Sequence, residues 1–233
     1  MVIPGFGATD KDTAVLRLLI RRQGHEVQGW GLGRHLQPSQ DVFEALSQRV
    51  ATLHGQSGRP VTLVGWSLGG LLARHLASAN PDAVRQLITM GTGSRFRSFD
   101  RTNISQFADR FIPGWAQGAY VGLFDDIERG QLPVPITSIY TRSDGVSRWE
   151  LCLEVEGKCR ENIEVWGRHI GLPVNRAVIL AVLDRLAQLD DTWEPFCPPA
   201  LLASWYPPPT WWDDEMASQV EMSLHHSRSG SQA

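Results

Sequence analysis

Apolar positions along this chain follow two periods that take turns. Short runs rich in Val, Ile and Leu recur at Val2-Ile3, Val61-Thr62-Leu63-Val64, Leu87-Ile88-Thr89-Met90, Pro135 to Tyr140 and Asn162 to Val165. Bounded by turn residues, such runs read as buried strands, and Glu26 to Gln28 reads as a further short one. Between them the spacing is helical. Val15, Leu18 and Leu19 punctuate Thr13 to Gln23, which Gly24 closes, and Val42, Leu46, Val50 and Leu53 share a face of Asp41 to His54. Leu68 to Ala79 and Asn175 to Ala187 supply two more helices. Strands alternating with helices predict an α/β domain, a mostly parallel central sheet flanked by helices.

The alternation breaks twice. From Arg95 to Leu132 the chain mixes Phe99, Phe107, Phe111, Trp115, Tyr120 and Phe124 with glycines and charges, which predicts a small helical cap inserted at 95–132 within a domain spanning 1–196. From there the composition shifts to Pro198-Pro199, Pro207-Pro208-Pro209 and Trp211-Trp212. Residues 197–233 therefore read as a Pro- and Trp-rich extension, its last dozen residues expected to be disordered.

Composition narrows the class. With 42% hydrophobic residues and nine Trp among 233 residues, the chain is too apolar to be largely disordered. A formal net charge of −3, with no long run of one sign, leaves nothing to draw it to nucleic acid or an anionic membrane. A small-molecule substrate is the expected partner. Cys152, Cys159 and Cys197 form neither a CxxC pair nor a disulfide framework. No apolar run approaches the ~18 residues of a membrane span, and Met-Val-Ile-Pro-Gly lacks the opening of a signal peptide. The expectation is a cytoplasmic protein without a transmembrane segment.

The chemistry centres on Gly65-Trp66-Ser67-Leu68-Gly69, a GxSxG between a predicted strand and a predicted helix. A tight strand-to-helix turn holds such a serine in a strained, exposed position at the positive end of the helix dipole; a plain serine N-cap is the alternative. A nucleophilic serine needs a base, and the base an orienting acid. Asp144 follows the strand ending at Tyr140, and His169 follows the strand ending at Val165, in the order this arrangement requires. Asp144 also suits an Asx turn ahead of Gly145. Among rivals, His25, His35 and His54 precede the serine, His75 lies well down the following helix, and His225 and His226 belong to the tail. Asp125 and Asp126 fall in the predicted cap. An oxyanion hole needs backbone N–H groups, which Leu68 and, in Pro4-Gly5-Phe6-Gly7, Phe6 can supply; a Pro-Gly β-turn is the simpler reading of the latter.

Five blocks in order resemble the α/β-hydrolase superfamily, more narrowly bacterial serine esterases and lipases. They are Ile3-Pro4-Gly5-Phe6-Gly7, Gly29-Trp30-Gly31-Leu32-Gly33, Val64 to Gly70, Ser138 to Gly145 and His169-Ile170-Gly171-Leu172. The resemblance covers roughly Val2 to Gln188. It implies a triad of Ser67, Asp144 and His169 with Phe6 and Leu68 as oxyanion donors, acting on a small carboxylic ester with no metal or organic cofactor; the aromatic residues of the predicted cap suggest an apolar acyl or alcohol pocket, core packing being the other reading of them. An acyltransferase on the same site and a catalytically silent ligand-binding module are the alternative functions. Two features depart from the family pattern: the chain opens almost inside its first core strand, and Arg168 stands where a small residue often precedes the histidine.

Overall fold

The computed structural model describes residues 1–36, 39–94, 132–155, 157–189 and 192–207. Most of the predicted cap and the end of the extension lie outside these residues. The described elements are β1 (Val2–Ile3), α1 (Ala14–Arg22), α2 (Gln40–Ser57), β2 (Val61–Trp66), α3 (Leu68–Ala79), β3 (Val84–Met90), β4 (Ile136–Tyr140), β5 (Arg160–Glu164) and α4 (Arg176–Ala187). The strands form one sheet in the order β1-β2-β3-β4-β5, every neighbouring pair parallel.

Parallel strands require crossovers, and crossovers lay helices on both faces, so the strands are apolar on both sides. Alternation along each strand sorts the residues between two cores. Val2, Val64, Ile88, Met90 and Ile139 pack with Leu16 and Ile20 of α1 and with Val178 and Val182 of α4. Ile3, Leu63, Leu87 and Ile136 pack on the opposite face with Leu46 and Val50 of α2 and Leu72 and Leu76 of α3.

Two predicted details differ. Glu26 to Gln28 is not a strand: Val2 N–H donates to the Gln28 carbonyl at 2.9 Å and Val2 bridges Gly29, but no ladder extends from there. Beyond it the Asp10 carboxylate accepts the Trp30 and Gly31 N–H groups. In α1 the buried pair is Leu16 and Ile20, whereas Val15 and Leu18 are exposed. Apolar residues occupy more than half of that helix's circumference, so packing against α4 chose the face. Beyond α4, Phe196, Trp205 and Tyr206 pack onto the first core, and the Tyr206 hydroxyl donates to the Ala177 carbonyl at 2.9 Å. Among the described residues no helix is long and apolar enough to cross a membrane.

Candidate active site

Three glycines let β2 turn directly into α3. A Cβ on Gly65 would sit 2.4 Å from Gly70 Cα, one on Gly69 would sit 2.4 Å from the Ile3 carbonyl oxygen, and one on Gly70 would strike Thr92 Oγ1 at 2.0 Å. Helix and sheet therefore touch backbone to backbone at this corner. Ser67 occupies the bend at φ 54°, ψ −124°, a region that side-chain-bearing residues rarely adopt, and its side chain makes no cap hydrogen bond. Being an N-cap is thus not its role. The strain is held from three sides: Ser67 N–H donates to the Met90 carbonyl at 2.8 Å, and the Ser67 carbonyl accepts from Gly70 N–H at 2.8 Å and from Thr92 Oγ1 at 3.0 Å.

Asp144 and His169 are brought together by the ends of β4 and β5. His169 Nδ1 lies 2.7 Å from Asp144 Oδ2, and both residues are buried. Because an ionised carboxylate only accepts, Nδ1 carries a proton and Nε2 is the nitrogen turned away from the acid. The second carboxylate oxygen accepts Val146 N–H at 3.0 Å and Ser147 N–H at 2.5 Å. The Asx turn and the histidine contact therefore coexist, one on each oxygen. His169 is fixed in turn: its N–H donates to the Asp144 carbonyl at 3.2 Å, and its carbonyl accepts from Trp66 Nε1 at 3.1 Å. That indole is Ser67's chain neighbour.

Gly91 and Thr92, at the end of β3, join the two halves of the site. Thr92 holds the Ser67 carbonyl, while a Cβ on Gly91 would lie 3.0 Å from His169 Nδ1 and 3.1 Å from Asp144 Oδ2. Ser67 and His169 are not joined by a direct side-chain hydrogen bond in this structure. Sequence reasoning missed Gly91 and Thr92, because a Gly-Thr pair after a strand carries no signal of what folds against it.

The Pro4–Ala8 loop runs beside the serine. A Cβ on Gly5 would lie 3.2 Å from Ser67 Cβ, and Ala8 N–H closes a turn onto the Gly5 carbonyl at 3.1 Å. Phe6 shares the peptide whose carbonyl this turn occupies. Leu68 opens α3, where an N–H has no intrahelical acceptor. Of the rivals, His75 packs its ring on Phe43 at 4.2 Å, away from the triad candidates in sequence and element, and Asp125, Asp126, His225 and His226 lie outside the described residues. Arg168 is exposed, so water screens its charge from the neighbouring imidazole. Among the described residues no cluster of three or more His, Cys, Asp or Glu side chains is gathered to hold a metal, and all three cysteines are free.

Residues 48–111 match the family model of the alpha/beta hydrolase fold. Over 79% of its length the chain superposes on 92% of a metagenome-derived lipolytic enzyme from a study of LipS and LipT, with a TM-score of 0.59 and 17% identity. The chain has the α/β-hydrolase fold. Monoacylglycerol lipase from Paleococcus ferrophilus is a second structural neighbour, with a TM-score of 0.51 at 15% identity over 78% of this chain and 93% of that one. Among curated relatives it is 33% identical over 72 residues to pimeloyl-[acyl-carrier protein] methyl ester esterase of Pseudoalteromonas atlantica. That match takes in 31% of this chain and spans 27% of the relative's length. Near His169 in the chain, Trp166, Ile170 and Val174 expose apolar surface, at 58%, 77% and 55%, beside the exposed Arg168.

Proposed function

We propose that this protein is a serine carboxylic-ester hydrolase that works through an acyl-enzyme on Ser67. The observation that carries the reading is the buried 2.7 Å contact of His169 with Asp144, tied through Trp66 and Thr92 to a serine in a strained strand-to-helix turn. His169 Nε2 takes the hydroxyl proton as Ser67 Oγ bonds to the ester carbonyl carbon, and the carbonyl electron pair moves onto oxygen. That oxyanion accepts hydrogen bonds from the Leu68 and Phe6 N–H groups. The tetrahedral centre collapses, the alcohol leaves with the proton from the His169 imidazolium, and the acyl group stays on Ser67. Water then repeats the sequence with His169 as base, releasing the acid and restoring the serine. Asp144 holds the Nδ1–H tautomer and offsets the transient positive charge.

The substrate is a small ester with an apolar acyl or alcohol part. Support comes from the exposed Trp166, Ile170 and Val174 beside His169 and from the methyl ester esterase that the chain is similar to. Hydrolysis of p-nitrophenyl esters of increasing acyl length, by wild type and Ser67→Ala in parallel, tests the reading. We expect the substitution to lower kcat by about 10³-fold or more and to abolish covalent labelling by a fluorophosphonate. Folded wild-type protein that neither hydrolyses the esters nor takes up the label overturns the reading in favour of a ligand-binding module. Ester products formed with an added alcohol, in place of acid, point to an acyltransferase.

A further inference from the structure

We propose that His35 is a positioning residue for the reaction, orienting the Pro4–Ala8 loop so that its N–H groups face the ester oxyanion; the proposal rests on the ester-hydrolase reading. His35 is completely buried and contacts the loop at three points. Its Nδ1 lies 2.8 Å from the Pro4 carbonyl oxygen, its backbone carbonyl accepts Gly7 N–H at 2.7 Å, and its own N–H donates to the Ala8 carbonyl at 2.8 Å. Arg34 adds a fourth contact through Nη1 to the Gly7 carbonyl at 2.6 Å.

A carbonyl oxygen only accepts, so the imidazole is held as the Nδ1–H tautomer. Its Nε2 is buried with no partner among the described residues. A second proton there would have no acceptor, and burial accordingly pushes the His35 pKa down, against the smaller opposing pull of the Pro4 carbonyl. The ring is a neutral donor rather than a general base.

What that donor achieves follows from peptide geometry. In a trans peptide the C=O and N–H point in opposite directions. Fixing the Pro4 carbonyl on His35 fixes the Gly5 N–H on the other side, and fixing the Gly5 carbonyl on Ala8 N–H fixes the direction of Phe6 N–H. The same Pro4 oxygen lies against the start of α3, 2.5 Å from where a Gly69 Cβ would stand. The loop is thus clamped between His35 and the helix that carries Leu68, so both proposed oxyanion donors share one frame.

The imidazole has its own support. Its ring packs on Trp30 at 4.5 Å between centroids, and Trp30 is tied down by Nε1 to the Gly33 carbonyl at 2.9 Å and by its N–H to Asp10 Oδ1 at 3.0 Å. The glycines around Trp30 serve this anchor: a Cβ on Gly29 would strike the Asp10 carboxylate, and Gly31 and Gly33 have φ of 78°. The Gly29-to-Gly33 block and His35 form one brace for the Pro4–Ala8 loop.

The test compares His35→Leu, which removes the donor, with His35→Asn, whose amide nitrogen stands one bond from Cγ where Nδ1 does. With a p-nitrophenyl butyrate substrate we expect His35→Leu to lower kcat about 10–100-fold, as a loop misplacement of about an ångström does, with KM changed by less than about threefold. His35→Asn should recover kcat to within about threefold of wild type. The proposal is overturned if His35→Leu keeps wild-type kcat, if its loss lies in KM, or if His35→Asn is as slow as His35→Leu. Should His35→Leu fail to fold, ¹⁵N NMR of the histidines in the wild-type protein decides. A neutral Nδ1–H ring with a slowly exchanging proton is expected, and an Nε2–H tautomer refutes the proposal. An inactive wild type removes the ester-hydrolase reading and the proposal together, whereas an active wild type beside an equally active His35→Leu removes the proposal alone.

Discussion

Gly91 is where Asp144 and His169, the proposed acid and base, leave no room for a side chain. At φ +57° a methyl group there would be strained on its own account, and it would stand 3.0 Å from His169 Nδ1 and 2.7 Å from Leu172 Cδ1. Gly91→Ala should therefore cost about 1 kcal/mol of stability and lower kcat about 10-fold by displacing the imidazole; thermal melting and ester kinetics on one preparation separate the two. His35 gives a second prediction at this scale. Burial lowers its pKa in the folded protein, so the unfolded chain binds a proton more readily, and this contribution to stability is lost as pH falls below the ordinary histidine value of about 6.5. Melting temperature should drop more steeply between about pH 7 and pH 5 in wild type than in His35→Asn, which has no such group to titrate.

Among the elements, α4 anchors the loop that carries His169. Asn175 caps it, its side-chain oxygen accepting Ala177 N–H at 2.8 Å and Val178 N–H at 3.4 Å, while its amide donates back to the Trp166 carbonyl at 2.7 Å. Thr141, just after β4, pins the same loop through the Gly167 carbonyl at 3.0 Å. Asn175 thus starts a helix and ties down the turn before His169. Asn175→Ala should cost about 1 kcal/mol, a fall of about 2–4 °C in Tm for a protein of this size, and should lower kcat further than stability alone explains. The comparison is a melt alongside kcat measured well below the transition.

Across the whole molecule, a buried ion cluster ties distant parts together. Glu154 pairs with Arg74 of α3 and, at 3.3 Å, with Arg160 of β5. Ser94 Oγ donates to the same carboxylate at 3.4 Å, and Arg160 donates to the Leu132 carbonyl at 2.8 Å. The cluster therefore gathers both flanks of residues 95–131 onto the sheet. Removing one partner of a buried pair strands the other charge in a poor solvent, so Glu154→Ala should destabilise by about 3–5 kcal/mol. Chemical denaturation at neutral pH checks the figure.

Much of this was legible in the chain because local rules act locally. The bounds of α3 follow from the sequence, Leu68 to Ala79, since a GxSxG after a β-branched run leaves the backbone one way to turn. The pairing of Asp144 with His169 was readable from their places after successive strands, because parallel strands deliver their C-terminal loops to one edge of the sheet. What no local pattern contains is which loop presses on which. The face α1 buries was set by its contact with α4, and the segment after Gln28 is held by Asp10, twenty positions away, which accepts the Trp30 and Gly31 N–H groups. Gly91, Thr92 and His35 acquire their places only when β3 and the Gly29-to-Gly33 segment close on the serine and its loop. Sequence alone determined most of the described strands and helices and named the candidate side chains, whose signals are periodicity and chemical type. Tertiary structure decided the brace around them, because a hydrogen bond between residues thirty or a hundred positions apart exists only once the chain has folded.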